Sequence, residues 1–147
     1  MSATTTYDSL LQVLHQAGLR ITSQRRLICE YLATTQSHPT AALLYQELSA
    51  RHPELSLATV YNTLNILSEL GALVQLNLGD EHTHYETNLT PHVNLICRHC
   101  RRVIDVESVQ PVDAVLAALP SSIGFQAATV HVQVSGLCAS CQKASES

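Results

Sequence analysis

Apolar residues in the first part of the chain recur three and four positions apart, and further along the spacing shortens toward two. Leu10, Leu11, Leu14 and Leu19 predict a first helix that Gly18 closes. Thr22 stands at an N-cap position before a second helix, whose stripe is Leu27, Ile28, Tyr31 and Leu32 and which ends at Thr34, ahead of the turn Ser37-His38-Pro39. Thr40 caps a third, with Leu43, Leu44 and Leu48 on its face. It stops near His52-Pro53, because proline disfavours helix in the residue before it. Ser56 caps a fourth over residues 57–70, with Val60, Leu64, Leu67 and Leu70 on one face, Thr59, Tyr61, Asn62 and Asn65 on the other, and Gly71 as the stop. From Leu73 to Leu78 the pattern alternates, Gly79-Asp80 makes a turn, and 82–87 return as a second strand. Helices followed by a hairpin predict a winged helix.

Beyond the hairpin, 92–96 and 103–106 read as strands, 112–119 has helical period, and the β-branched run 129–134 leads into Gly136-Leu137-Cys138. The fold class is therefore α+β: a winged-helix domain with its hinge over 1–88, then a small α/β domain over 89–147. There is no internal repeat or low-complexity stretch, and only the Ala-Ser-Glu-Ser tail is expected to fray.

Two domains in 147 residues are each too small to be stable without a staple. Hydrophobic residues make up 46% and charged ones 14%, which excludes wholesale disorder. No apolar run reaches the roughly 18–20 residues of a membrane span, and the polar start lacks the layout of a secretory signal, so a cytoplasmic location is expected and no membrane partner. The net charge of -4 argues against a polyanion partner, yet the deficit lies mainly in the second half. Residues 1–78 carry Arg20, Arg25, Arg26 and Arg51 against Asp8, Glu30, Glu47, Glu54 and Glu69, a balance that leaves room for a basic face.

The staple is visible in the cysteines. Cys97, Cys100, Cys138 and Cys141 form two Cys-x-x-Cys pairs, and in a reducing compartment such pairs point to metal before disulfide. Zinc takes four tetrahedral thiolates, and each Cys-x-x-Cys turn supplies two of them from one side. Such a site is closed, hence structural and not catalytic. A redox pair or free core thiols are the competing readings. Cys29 stands alone on its helix and is expected to be a buried small hydrophobe.

The fourth predicted helix opens Ser56-Leu57-Ala58-Thr59-Val60-Tyr61-Asn62. In a helix-turn-helix the second helix enters the major groove, where small and hydroxyl residues allow close approach, Tyr61 can meet a thymine methyl or a phosphate, and Asn62 can pair with adenine. Ser56, Ala58, Thr59, Tyr61 and Asn62 are the DNA-reading candidates; Arg20, Arg25, Arg26 and Arg51 are the phosphate-contacting ones. A surface helix with no nucleic-acid partner explains the same pattern.

Several motifs in order settle the balance. The run Gly18-Leu19-Arg20-Ile21-Thr22-Ser23-Gln24-Arg25, the turn His38-Pro39-Thr40-Ala41, residues 56–64, and Leu95-Ile96-Cys97-Arg98-His99-Cys100 resemble the ferric uptake regulator family over nearly the whole chain. The resemblance implies a homodimer, with the second domain as its dimerisation domain. It implies a transcriptional regulator, usually a repressor with metal as co-repressor, that binds AT-rich inverted repeats in double-stranded DNA.

It also implies a regulatory metal held by residues of both domains, at the matching positions His38, Glu86, His92, Asn94 and Asp105. Imidazole and carboxylate donors suit iron(II), manganese(II) or zinc. Asn94 departs from the family pattern, which often has His there, so the coordination number drops or another group substitutes; His82 and His84 are near in sequence but expected to be solvated wing residues. An accessory metal site of many relatives is expected to be absent, since Pro91, Val93 and Val130 stand where its ligands would. No cysteine lies between Cys29 and Cys97, which disfavours a zinc sensor. Asp105 is the residue type of peroxide-sensing members, whereas Glu86 is that of iron-sensing ones. The balance falls to a peroxide sensor, with oxidation of His38 or His92 as its chemistry. A metal-uptake repressor is the alternative. A metal-dependent hydrolase around Glu86, His92 and Asp105 lacks a nucleophile motif and a second acid-base pair, so no enzyme activity is expected. A metal-buffering or protein-interaction module leaves the capped helix with Tyr61 and Asn62 unexplained.

Overall fold

The computed structural model describes residues 5–107, 110–127 and 129–146. It forms two compact units, one ending at Thr90 and the other beginning at Pro91.

The first unit holds α1 (Tyr7–Gln16), α2 (Ser23–Thr34), α3 (Ala41–Ser49), α4 (Leu57–Glu69), β1 (Val74–Asn77) and β2 (Thr83–Glu86). Each helix starts at a hydroxyl cap in extended backbone: Thr6, Thr22, Thr40 and Ser56 accept from the amides of Ser9, Arg25, Leu43 and Thr59. The Thr6 cap, with Ser9 closing a capping box, is not among the caps that the pattern predicts. Leu10, Leu14, Ile28, Leu32, Leu44, Val60, Leu64 and Leu67 meet in one core with Leu73 and Tyr85 from the hairpin. Two expected core positions are half-exposed instead: Leu43 in α3, and Leu70, which has passed the end of α4 and become its C-cap. Thr63 takes a fully buried place in α4, its hydroxyl satisfied by donating to the carbonyl of Thr59 at 2.7 Å.

The turn before α4 is clamped from α2. Gln24 donates from Nε2 to the Glu54 carbonyl at 3.0 Å and accepts from the Ser56 amide at 3.4 Å. One side chain thereby sets where the fourth helix begins. Strands β1 and β2 pair antiparallel from Val74↔Glu86 to Asn77↔Thr83, joined by a turn with Gly79 at φ 81°. On its other edge β2 meets the segment after α2: Thr40 bridges His84 and the Tyr85 amide donates to the Pro39 carbonyl at 3.0 Å.

The second unit contains β3 (Val93–Cys97), β4 (Val103–Val106), α5 (Gln110–Ala118), a short 3-10 turn (Ser121–Ile123), β5 (Val132–Gly136) and α6 (Ala139–Ser145). Its sheet has the order β4-β3-β5, with β3 antiparallel to β4 and parallel to β5. The last strand starts later than the β-branched run predicts, at Val132, because pairing Val93↔Val132 decides where it joins the sheet. The tail is also not frayed as expected: Cys138 caps α6, which continues to Ser145, while Ser147 lies outside the described residues.

Cross-strand rows make the sheet two-faced. Ile104–Leu95–Val134 and Val106–Val93–Val132 lie on one side, and Asp105–Asn94–Gln133 crosses the other. Few residues here are buried, chiefly Val93, Ile96, Cys97 and Val112, while Ile123 and Phe125 stand 69% and 76% exposed. Among the described residues no helix is long and apolar enough to cross a membrane.

Because Leu64 is only 1% exposed at the centre of the first core, Leu64→Ala is expected to destabilise this unit by about 2–5 kcal/mol in a urea titration followed by helix circular dichroism. A loss below about 1 kcal/mol would contradict the packing described.

Candidate metal centres and nucleic-acid interface

Strand β3 ends at Cys97, and the chain then folds back tightly: the Arg101 amide donates to the Cys97 carbonyl and the Cys97 amide to the Arg102 carbonyl, both at 3.0 Å. Arg101 sits at φ 63°, a left-handed conformation that tight turns of this kind demand. The Arg98 amide donates to the Gly136 carbonyl at 2.8 Å, which brings the end of β5 and thus Cys138 alongside. The four sulfurs of Cys97, Cys100, Cys138 and Cys141 lie within 4.8 Å of one another. Cys100 and Cys138 are separated by 3.8 Å between sulfurs. Four sulfurs at roughly 2.3 Å from one tetrahedral ion stand roughly 3.8 Å apart, so the spacing fits zinc.

The electrostatics agree. The Cys138 amide donates to the Cys97 sulfur at 3.4 Å, and together with the Cys100 amide it holds the Cys97 thiol down at about 5. The Cys141 amide likewise lowers Cys138, whereas Cys141, sharing hydrogen bonds with Cys138 and the other sulfurs, is pushed up to about 12. Crowded thiols cannot all ionise unaided; a dication removes that conflict. Cys29 lies fully buried in the first core, where burial pushes its thiol up to about 11, as suits an inert core residue.

The residues expected to hold a regulatory metal fall into two sets, one in each unit. In the first unit the pairing of the His38 turn with β2 brings His38 opposite Glu86. The His38 Nε2–H donates to Glu86 Oε2 at 3.0 Å, with both side chains at most 10% exposed. The other carboxylate oxygen of Glu86 accepts from the Asn88 amide at 3.2 Å. Two ligands at right angles on roughly 2.1 Å bonds lie roughly 3.0 Å apart, so this pair is spaced as neighbouring ligands of one ion.

In the second unit Asn94 faces Asp105 directly across β3 and β4, which puts both side chains on one face of the sheet. His92, two residues before Asn94, belongs to the same face by alternation. Asn94 is 6% exposed, and its Oδ1 is buried with no hydrogen-bond partner among the described residues. An orphaned buried acceptor beside a carboxylate fits a cation. Gln133 completes the row on β5, a neighbour the sequence pattern does not single out, since only the parallel register with β3 reveals it.

His82 is exposed, as expected for a wing residue. His84 is not, contrary to the expectation of a solvated side chain: it is 15% exposed, donating from Nδ1 to the His38 carbonyl at 2.9 Å and from Nε2 to Asp80 Oδ2 at 2.8 Å. That hydrogen bond keeps the Asp80 carboxyl below the usual carboxylate range.

The outer face of α4 presents Ala58, Tyr61 and Asn62 to solvent, with Tyr61 46% exposed. Ser56 and Thr59 are partly committed to the cap, their hydroxyls 2.7 Å apart and Ser56 accepting from the Thr59 amide. Arg20, Arg26 and Arg51 are exposed, whereas Arg25 uses Nη1 to hold the Arg20 carbonyl at 2.6 Å.

Known proteins share this fold and sequence pattern. The profile of the Ferric uptake regulator family matches residues 16–135. The Peroxide-responsive repressor PerR of Staphylococcus epidermidis is 34% identical over 130 residues, 88% of this chain and 86% of that protein. Among solved structures, the Helicobacter pylori ferric uptake regulator Fur superposes with a TM-score of 0.78 at 19% identity over 97% of both chains, a likeness of fold. PerR from Streptococcus pyogenes, described as a structural basis for peroxide sensing and gene regulation, gives 0.52 at 30% identity over 97% of this chain and 96% of that one. With the motifs, the two-unit fold and the family profile in agreement, this chain belongs to the ferric uptake regulator family.

Proposed function

We propose that this chain is a metal-responsive repressor that binds duplex DNA as a homodimer, and that peroxide releases it by oxidising a metal-ligating imidazole. The observation that carries the reading is the pair of ligand sets: His38 with Glu86 in the unit that bears α4, and Asn94 with Asp105 on the polar row of the other unit. In this reading one regulatory metal takes His38, Glu86, His92, Asn94 and Asp105 as its candidate ligands. A cation bound by donors from both units favours whichever arrangement satisfies them all, and DNA affinity follows to the extent that this arrangement is the competent one. Oxygen-rich donors with imidazole suit iron(II) or manganese(II), and the orphaned Asn94 oxygen adds to that character.

Cys97, Cys100, Cys138 and Cys141 hold the structural zinc in this reading, tying β3 to α6. The two-fold symmetry of an inverted repeat matches a homodimer presenting two copies of α4, with Tyr61 and Asn62 against base edges and Arg20 and Arg51 at phosphates. A second copy has a surface to use: Ile104, Leu95 and Val134 line an apolar groove of about 310 Å³ with Leu137 on the sheet of the second unit.

Peroxide sensing is supported by Asp105 and by the likeness to PerR proteins. Bound iron(II) would supply one electron to split peroxide into hydroxide and a one-electron oxidant. Addition of that oxidant to an imidazole carbon of His38 or His92, with return of one electron to the iron and loss of one proton, would leave an oxo-imidazole and water. An imidazole so altered would be a poorer ligand, and the metal-held arrangement would be lost. Glu86, deeply buried against His38, favours the second reading, an iron or other divalent-metal uptake repressor without peroxide chemistry.

Removing zinc with a strong chelator is expected to abolish hydrogen-exchange protection in β3, β4 and β5 while α1 to α4 keep theirs; unchanged protection in the sheet would contradict the structural role. The functional test titrates an AT-rich inverted-repeat duplex with zinc-loaded protein plus iron(II) or manganese(II), before and after a brief peroxide pulse. Expected are tight binding with either metal, loss on peroxide with iron alone, an added oxygen mass on the His38 or His92 peptide, and binding weakened about tenfold or more in Tyr61→Ala, the scale of one lost base contact. Metal-dependent binding that survives peroxide with unmodified peptides selects the uptake repressor. Binding indifferent to metal sinks both.

A further inference from the structure

We propose that Asp80 and His84 form a positioning pair for the metal ligand His38, gripping its backbone carbonyl so that its imidazole is presented beside Glu86, and tying that ligand to the tip of the β1–β2 hairpin. The proposal rests on the regulatory role of His38 argued above. Its own basis is a chain of contacts inside the first unit. Asp80, in the hairpin turn, accepts through Oδ2 from His84 Nε2 at 2.8 Å, and its Oδ1 accepts from the His82 amide at 3.2 Å. The His84 ring passes the constraint on, donating from Nδ1 to the carbonyl of His38 at 2.9 Å. The Thr40↔His84 bridge and the hydrogen bond from the Tyr85 amide to the Pro39 carbonyl hold the same turn against β2 from the main chain.

The grip matters because the next residue is Pro39. Its ring fixes φ, so once the His38 carbonyl is held, the peptide linking the two residues has little freedom left. The Cα–Cβ direction of His38 is then restricted, which leaves only the two side-chain torsions to bring Nε2 to 3.0 Å from Glu86 Oε2. A ligand ordered in advance loses less entropy when the ion arrives. The same contacts run outward. Asp80 belongs to the turn of the wing, so a displacement of that turn is felt at His38, and ordering of His38 by metal steadies the turn.

Two near-isosteric replacements separate the halves of this device. His84→Asn places an amide nitrogen near the position of Nδ1 and keeps a donor for the His38 carbonyl; His84→Gln places one near Nε2 and keeps the contact with Asp80 while releasing His38. With zinc loaded, manganese(II) affinity is read from the electron paramagnetic resonance signal of the free ion, alongside thermal unfolding of the protein without manganese. Expected is manganese(II) affinity about tenfold weaker for His84→Gln, which releases His38, and about threefold weaker for His84→Asn, which keeps the direct grip but loses its anchor at Asp80, with similar unfolding temperatures, since partners that orient a ligand are worth tenfold or more in metal affinity. Unchanged affinity in both variants overturns the proposal. Equal weakening in both, matched by equal loss of thermal stability, also overturns it and leaves His84 a packing residue. His38→Ala distinguishes the levels: if it leaves manganese affinity untouched, the regulatory-site reading itself fails and takes this proposal with it.

Discussion

The second unit depends on how the end of one strand is fastened. Strand β3 is paired on both sides, carries Asn94 at its second position and finishes in the first thiol of the sulfur cluster. Val93, Ile96 and Val112 are its main apolar burial, too little to hold a unit of this size by hydrophobic contact alone. A tetrahedral ion joining Cys97 and Cys100 to Cys138 and Cys141 fixes the β3–β5 register at that end. Register then decides which side chains face together, because a slip of one residue between β3 and β5 would turn Asn94 and Gln133 to opposite faces. In the proposed reading the structural ion and the regulatory candidate Asn94 therefore share one strand, the ion fastening its end and the strand presenting Asn94.

The first unit meets the same need by other means. Its core draws on all four helices and the hairpin, and the candidate ligands His38 and Glu86 are brought together by adding the His38 turn as an edge to the hairpin. Extending the Thr40↔His84 pairing by two residues brings His38 opposite Glu86. The same hairpin comes directly after α4, and Gln24 fixes where α4 begins. The His38 turn, the hairpin and the exposed helix are thus parts of one packed body, through which a cation at His38 and Glu86 would have a mechanical route to the outer face of α4, the proposed DNA surface.

Much of this is legible in the chain because the signals are local. A hydroxyl one residue ahead of an apolar stripe marks a helix start wherever it occurs, and Thr22, Thr40 and Ser56 all serve as caps. Paired cysteines announce their metal through spacing alone. The features that escape a reading of the chain depend on partners distant in sequence. Gln133 joins the polar row only through parallel pairing, and β5 begins at Val132 because β3 is there to receive it. His84 reads as an ordinary wing histidine until the turn at His38 folds against it. Leu43 and Leu70 belong to helical stripes wider than the surface the core covers, so periodicity cannot tell which edge of each stripe faces water. The α6 helix is short and begins at a cysteine whose place is set by the sulfur cluster, so its polar sequence resembles a loose tail.

In the proposed reading metal and DNA bind to linked states of one molecule, and linkage is reciprocal. The direct measurement is a closed cycle on zinc-loaded protein: DNA affinity with and without saturating manganese(II), and manganese(II) affinity with and without saturating operator duplex. Metal is expected to strengthen DNA binding by about tenfold or more, and DNA to strengthen metal binding by the same factor. Manganese(II) affinity that is identical with and without DNA would contradict it.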